Sequence, residues 1–105
     1  MVEGTLSILL VEDEQPQGHL IEEYLDLAEG LQPITCWVRT LSEAEEKLDQ
    51  EVYDVVLLDL GLPDSTGIET FTRIMALKKR LPVVVLTGMS RDEVALEALR
   101  GGAQD

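Results

Sequence analysis

The sequence predicts an α/β domain built on a parallel sheet. Three observations lead there. Short apolar stretches rich in branched residues recur four times along 105 residues. Each is followed by a segment whose apolar residues repeat at three- and four-residue spacing. Capping residues and glycines separate the two kinds of segment. Regular strand–helix alternation requires crossover connections, and these pack back onto a parallel sheet with a right-handed turn.

Leu6 to Val11 (LSILLV) reads as a strand buried on both faces. Pro16 suits the first turn of the following helix, where its missing N–H has no partner anyway. Leu20, Ile21, Tyr24, Leu25 and Ala28 form the apolar face of that helix, and Gly30 is its expected stop. Ile34 to Val38 (ITCWV) is the second strand. Thr40 with Glu43, and Ser42 with Glu45, have capping-box spacing. Leu41, Ala44 and Leu48 give the next helix its stripe, which runs to about Gln50. Asp54 to Leu58 is the third strand, and Gly61 to Gly67 is expected to be loop. Ile68, Phe71, Ile74 and Met75 mark a helix that ends near Lys78, Lys79 and Arg80, cations that complement its terminal carbonyls. Pro82 to Thr87 (PVVVLT) is the fourth strand. Ser90 and Glu93 form another capping box, and Val94, Ala95, Ala98 and Leu99 give a last helical face before Gly101 and Gly102.

Composition narrows the function. Hydrophobic residues make up 45% and aromatics 4%, so the chain can bury a core and that core must be aliphatic. Twenty-one acidic against eight basic residues leave a net charge of -13. Such a field repels phosphate backbones, which argues against nucleic acid as a direct partner and favours cations and basic surfaces. No apolar run approaches the ~20 residues of a membrane span. The start, MVEGTLSILLVEDE, lacks the basic region and cleavage site of a signal peptide. The single cysteine, Cys36, suits a reducing compartment. A cytoplasmic domain over residues 1–105 is therefore expected.

Open α/β sheets bind ligands outside the carboxyl ends of their strands. There the first strand delivers Glu12 and Asp13, the third delivers Asp59, and the fourth delivers Thr87. Taken singly, each has an ordinary structural explanation: a helix cap, a loop cap, a strand-end hydroxyl. Taken together, they put two adjacent acids, one acid and one hydroxyl at the ends of three apolar strands. Crowded carboxylates raise one another's pKa, and a bound cation removes the conflict. All-oxygen ligands select a hard ion, Mg²⁺ or Mn²⁺. Asp59 is also a nucleophile candidate, because carboxylates form acyl phosphates.

"ILLVEDE", "DVVLLDLGLPDSTGIE" and "PVVVLTG" resemble the receiver domain of bacterial two-component response regulators, in order and in spacing, from about Leu6 to Asp105. The resemblance implies a flavodoxin-like three-layer fold with strand order 2-1-3-4. It implies that Asp59 is the phosphoacceptor and that Glu12, Asp13, Asp59 and the backbone carbonyl of Gly61 hold Mg²⁺, with Mn²⁺ an alternative. Thr87 matches the hydroxyl that turns toward the phosphoryl group, and Pro63 and Gly67 match the loop leading to the next helix. The implied phosphodonor is a histidine on a sensor histidine kinase or a histidine phosphotransfer protein. The implied role is a signalling switch, not an enzyme. The receiver pattern continues past "GGAQD" with a fifth strand carrying a lysine and a fifth helix. Lys47, Lys78 and Lys79 do not match that lysine, so the chain reads as a receiver domain truncated at its C-terminus. Its Pro82–Thr87 strand would then be an open edge suited to self-association.

Two other readings compete. One is a receiver-like interaction or dimerisation module that is never phosphorylated. The other is an aspartyl-phosphate phosphohydrolase of the haloacid-dehalogenase type, which requires a second aspartate where Gly61 stands. His19 is expected at the surface. Cys36 and Trp37 are expected to face opposite ways, one in the core and one at its rim.

Overall fold

The structure is a computed structural model that describes residues 5–27, 32–77 and 81–86. The elements follow one another as β1 (Thr5–Val11), α1 (Gln15–Leu27), β2 (Gln32–Val38), α2 (Leu41–Gln50), β3 (Val55–Leu58), β4 (Gly61–Leu62), β5 (Ser65–Thr66), α3 (Ile68–Leu77) and β6 (Val83–Val85). The main sheet has the order β2-β1-β3-β6, with every pairing parallel. This is the strand order expected from the sequence. Thr87 and the expected last helix, from the Ser90 cap to the Gly101 and Gly102 stop, lie outside the described residues, as do Ala28, Gly30 and the basic run 78–80.

The sheet is the middle of three layers. Ile8 to Val11 and Val55 to Leu58 are all fully buried, because β1 and β3 are flanked on both edges and covered on both faces. Each such side chain stabilises the fold by about 1.5–3 kcal/mol. Alternation divides them between two cores. Leu9, Val11, Val38, Val56 and Leu58 pack with Leu41, Ala44 and Leu48 of α2 and Ile74 of α3. Ile8, Leu10, Val55 and Leu57 pack with Ile21 and Leu25 of α1.

Several expectations shift in detail. β2 starts at Gln32, two residues earlier than Ile34, because Thr5 and Leu6 continue the β1 ladder to Gln32 and Pro33. Pro33 is tolerated there since β2 is an outer strand. The buried stripe of α1 is Gly18, Ile21 and Leu25, while Leu20 is half-buried and Tyr24 is exposed. The reason is Trp37, whose ring lies against Gly18 and draws that side of the helix onto β2. Cys36 and Trp37 do face opposite ways, yet neither is simply core or rim. Each is half-buried and packs against the core of its own face.

The segment Gly61–Gly67 is not plain loop. It folds as a short antiparallel hairpin, Gly61 opposite Thr66 and Leu62 opposite Ser65, turning through Pro63 and Asp64. Gly67 leaves the hairpin at φ 64, a left-handed conformation that favours glycine. Its N–H donates to the Leu60 carbonyl, and its own carbonyl accepts from the Thr70 N–H as α3 begins.

The start of α2 shows what the hairpin holds. A helix leaves its first four N–H groups without internal partners. Here Leu41 and Ser42 donate to the two carboxylate oxygens of Asp64 at 2.8 and 3.0 Å. Glu43 donates to Thr40 Oγ1 at 3.1 Å, and Ala44 donates to the Thr40 carbonyl at 3.1 Å. Leu41, Ser42 and Glu43 are met by side chains, and the Ala44 bond is the first of the helix's own. Thr40 is thus the N-cap, as its spacing suggested, but Glu43 reaches back to the Arg39 N–H rather than to that of Thr40. The alternative Ser42–Glu45 box does not form. Glu45 instead takes a two-pronged ion pair from Arg73 of α3, at 2.7 and 3.2 Å.

Two outcomes are expected. Gly18→Ala puts a methyl group into the six-membered ring of Trp37, so urea unfolding should show a loss of about 1–3 kcal/mol, with altered tryptophan emission. The two N–H donors of α2 hold the Asp64 carboxyl below its ordinary 3.8. A depressed carboxylate pKa stabilises the fold above the unfolded value, and that contribution disappears as pH falls through the folded one. Asp64→Ala should therefore cost about 0.5–2 kcal/mol at neutral pH, and thermal melts of the two proteins should converge well below pH 3.8.

Candidate functional site

Glu12 and Asp59 each stand one residue beyond a buried strand. The β1–β3 ladder pairs Val11 with Leu58, so the two acids leave the sheet at the same level. The main chain holds them there. Asp59 N–H donates to the Val11 carbonyl at 3.0 Å, and Glu12 N–H donates to the Val38 carbonyl at 3.1 Å. Asp13 follows Glu12 at the turn into α1. One carboxylate oxygen from each of Glu12, Asp13 and Asp59 lies within 4.8 Å of the others. The sequence expected this convergence from three strand-end acids.

The three differ in environment. Glu12 is only 6% exposed, whereas Asp13 and Asp59 are half-buried. Burial first, and then Asp59 and Asp13, push the Glu12 carboxyl up to about 7 against the pull of the Glu14 N–H on Oε2. Asp59 is oriented by the Gly61 N–H, which donates to Oδ1 at 3.0 Å. Gly61 therefore lies at the site, two residues beyond the acid it orients. Asp59 remains open enough for another molecule to reach its oxygens.

The donor set fits a hard divalent ion. It consists of carboxylate oxygens, one of them raised in pKa by burial and, less, by its acidic neighbours, and a cation would offset that burial and repulsion together. Among the described residues this is the group of acidic side chains that converges in this way. Thr87, expected at the same end of the fourth strand, lies outside the described residues. The residue before it, Leu86, donates its N–H to the Leu58 carbonyl at 2.9 Å, beside Asp59.

Two further side chains reach the site from the end of β2. Trp37 Nε1 donates to the Glu12 carbonyl at 2.8 Å. Arg39 Nη2 donates to the Asp13 carbonyl at 2.7 Å. Sequence reasoning passed over both, since each bond spans about 25 residues of chain and leaves no local pattern. His19 is exposed as expected. Its ring stands edge-on to Trp37 with centroids 5.1 Å apart, and its Nδ1 is 3.9 Å from a Glu22 carboxylate oxygen.

Comparison with known proteins agrees with this geometry. Residues 8–105 match the response regulator receiver domain. The swarming motility regulation protein RssB of Serratia marcescens is 38% identical over 100 residues, covering 95% of this chain and 44% of that protein. The cell cycle transcriptional regulator CtrA of Caulobacter vibrioides is 33% identical over 103 residues, covering 95% of this chain and 42% of that protein. The chain thus spans less than half the length of these relatives. Among solved structures, the phosphorylated cyanobacterial phytochrome response regulator RcpA superposes with a TM-score of 0.69 at 33% identity, covering 90% of this chain and 75% of the other. The Mn²⁺-bound form of the response regulator Rcp1 superposes with a TM-score of 0.68 at 30% identity, with the same coverage. No helix among the described residues is long and apolar enough to cross a membrane. With its strand order, its acidic site and these relatives in agreement, the chain belongs to the response regulator receiver domains, phosphoacceptor signalling domains of bacterial two-component systems rather than classical enzymes.

Proposed function

We propose that Asp59 accepts a phosphoryl group from a histidine of a sensor histidine kinase or a histidine phosphotransfer protein, and that Glu12, Asp13, Asp59 and the Gly61 carbonyl hold Mg²⁺ or Mn²⁺ while it does so. The observation that carries the proposal is the meeting of three carboxylates at the ends of β1 and β3, with Asp59 oriented by the Gly61 N–H. In the transfer, an Asp59 oxygen forms the new P–O bond as the P–N bond to the donor histidine breaks, and the nitrogen keeps the electron pair. The divalent ion would offset the negative charge on both partners. Strand β3 supplies the positioning: its four residues are fully buried, so the nucleophile stands on a rigid floor. Thr87 is assigned the hydroxyl that donates to the transferred group, biasing the segment that follows it. A cytoplasmic location accords with the free thiol of Cys36.

RcpA, solved in a phosphorylated form, and Rcp1, solved with Mn²⁺, support the two halves of this reading by similarity. The phosphohydrolase reading finds no general acid, since Gly61 occupies the required position. The phosphorylation-independent interaction module is the outcome to be excluded by experiment. With a charge of -13, this domain is not proposed to touch nucleic acid itself. Its output passes through a partner or an attached effector.

Two measurements test the proposal. Incubation with Mg²⁺ and acetyl phosphate should add one phosphoryl mass, and Asp59→Asn or chelation of the metal should abolish the gain. A wild-type protein that takes up no phosphoryl group under conditions in which another receiver domain is phosphorylated would defeat the reading. The second measurement uses Glu12. Its folded pKa stands at about 7, above the ordinary 4.5. The folded state therefore binds a proton that the unfolded state releases, and metal-free stability attributable to Glu12 falls as pH rises between those values. Glu12→Gln should accordingly melt higher than wild type at pH 8 without metal. Mg²⁺ should raise the wild-type melting temperature more than that of the variant.

A further inference from the structure

We infer that Trp37 and Arg39 are positioning residues for the cation site: they clamp the main chain of Glu12 and Asp13 and so set the affinity for the metal. The inference rests on the proposed metal-binding role of those two acids. Glu12 and Asp13 are not inside a regular element; they form the short turn between β1 and α1. Only the Glu12 N–H is tied down by a strand-like bond, to Val38. The two carbonyls that follow point to the end of β2, and each is met there by a side-chain donor. Trp37 Nε1 takes the Glu12 carbonyl at 2.8 Å, and Arg39 Nη2 takes the Asp13 carbonyl at 2.7 Å. Three successive bonds from residues 37, 38 and 39 therefore fix the turn that carries two carboxylates of the site.

The clamp is itself built rather than accidental. Trp37 is half-buried, its ring pressed against Gly18 and edge-on to His19, so its N–H has a fixed aim. No larger residue fits at position 18 without moving that ring. The cost of a loose turn would fall on metal binding more than on folding, because three like charges must be brought within 4.8 Å. Groups that orient ligands from behind change metal affinity by about 10- to 100-fold when removed. Bonds made to the main chain of the ligand residues belong at the lower end of that range.

The test is a calorimetric titration with Mn²⁺ on wild type, Trp37→Phe, Arg39→Met and the control Glu45→Gln, each well below its melting temperature. Trp37→Phe changes no charge, and it should weaken Mn²⁺ about tenfold. Glu45→Gln breaks the Arg73 ion pair away from the site and should leave the affinity unchanged, whatever it does to stability. Should Trp37→Phe fail to fold, Arg39→Met decides. Losing a nearby positive charge would by itself tighten a cation, so weaker binding supports the clamp. Affinity within twofold of wild type in Trp37→Phe, or unchanged or tighter binding in Arg39→Met, overturns it. Asp59→Asn separates the two levels of argument. If that change abolishes Mn²⁺ binding while the clamp variants bind normally, the metal site stands and the clamp falls. If wild type itself binds no Mn²⁺, both fall.

Discussion

The mutual repulsion of three carboxylates governs this molecule. At separations within 4.8 Å, each fully ionised pair costs about 3–4 kcal/mol at the effective dielectric of a protein surface. Three such pairs approach the whole stability of a small domain, about 5–15 kcal/mol. The fold can bring the acids together only by keeping one of them protonated or by neutralising them with a cation. The Glu12 carboxyl, raised first by its own burial and then by Asp59 and Asp13, moves toward the first of these solutions. A divalent ion would be the second, and it would free all three oxygens to act as ligands.

The sheet makes the repulsion tolerable. Parallel pairing of β1 with β3 sets Val11 beside Leu58, and the residues immediately after them are Glu12 and Asp59. A slip of one residue in that register would send every side chain of one strand to the opposite face, into a core packed around other residues. The packing lost in such a slip opposes any separation of the charges. Eight fully buried side chains on two strands thus hold acids in a place they would not choose. The same strands that supply stability supply the geometry, which is why the site sits at their ends and not on a freestanding loop.

Most of the frame was legible in the sequence because its signals are local. LSILLV and DVVLL are apolar runs with an acid at the end, and Thr40 with Glu43 is a cap with a fixed spacing. The site acids were legible for the same reason: Glu12 and Asp59 each come next after a run, and Asp13 comes one residue later. What escaped was carried by contacts distant in the chain. Asp64 stands 22 and 23 residues from the helix start it caps, and Trp37 stands 25 from the carbonyl it binds. In α1, Ile21 and Leu25 are buried as expected, but Gly18 takes a place in the stripe that Leu20 and Tyr24 do not, because a tryptophan on another strand lies over the glycine. The hairpin after β3 was hidden by its brevity, since two residues a side show no alternation to read.

These distant contacts share one origin, the junction between β2 and α2. Residues 37 to 39 hold the turn bearing Glu12 and Asp13. Residues 41 and 42 hold Asp64, in the hairpin that begins two residues after Asp59. Both acid-bearing loops are thereby referred to a single short stretch of backbone, independently of the β1–β3 ladder. Two references are better than one for a site that gathers like charges. The ladder fixes how far along the strands the acids lie, and the junction fixes how the loops beyond them turn. Repulsion would otherwise open those loops by rotating about the strand ends, the one motion that hydrogen bonds within the sheet do not resist.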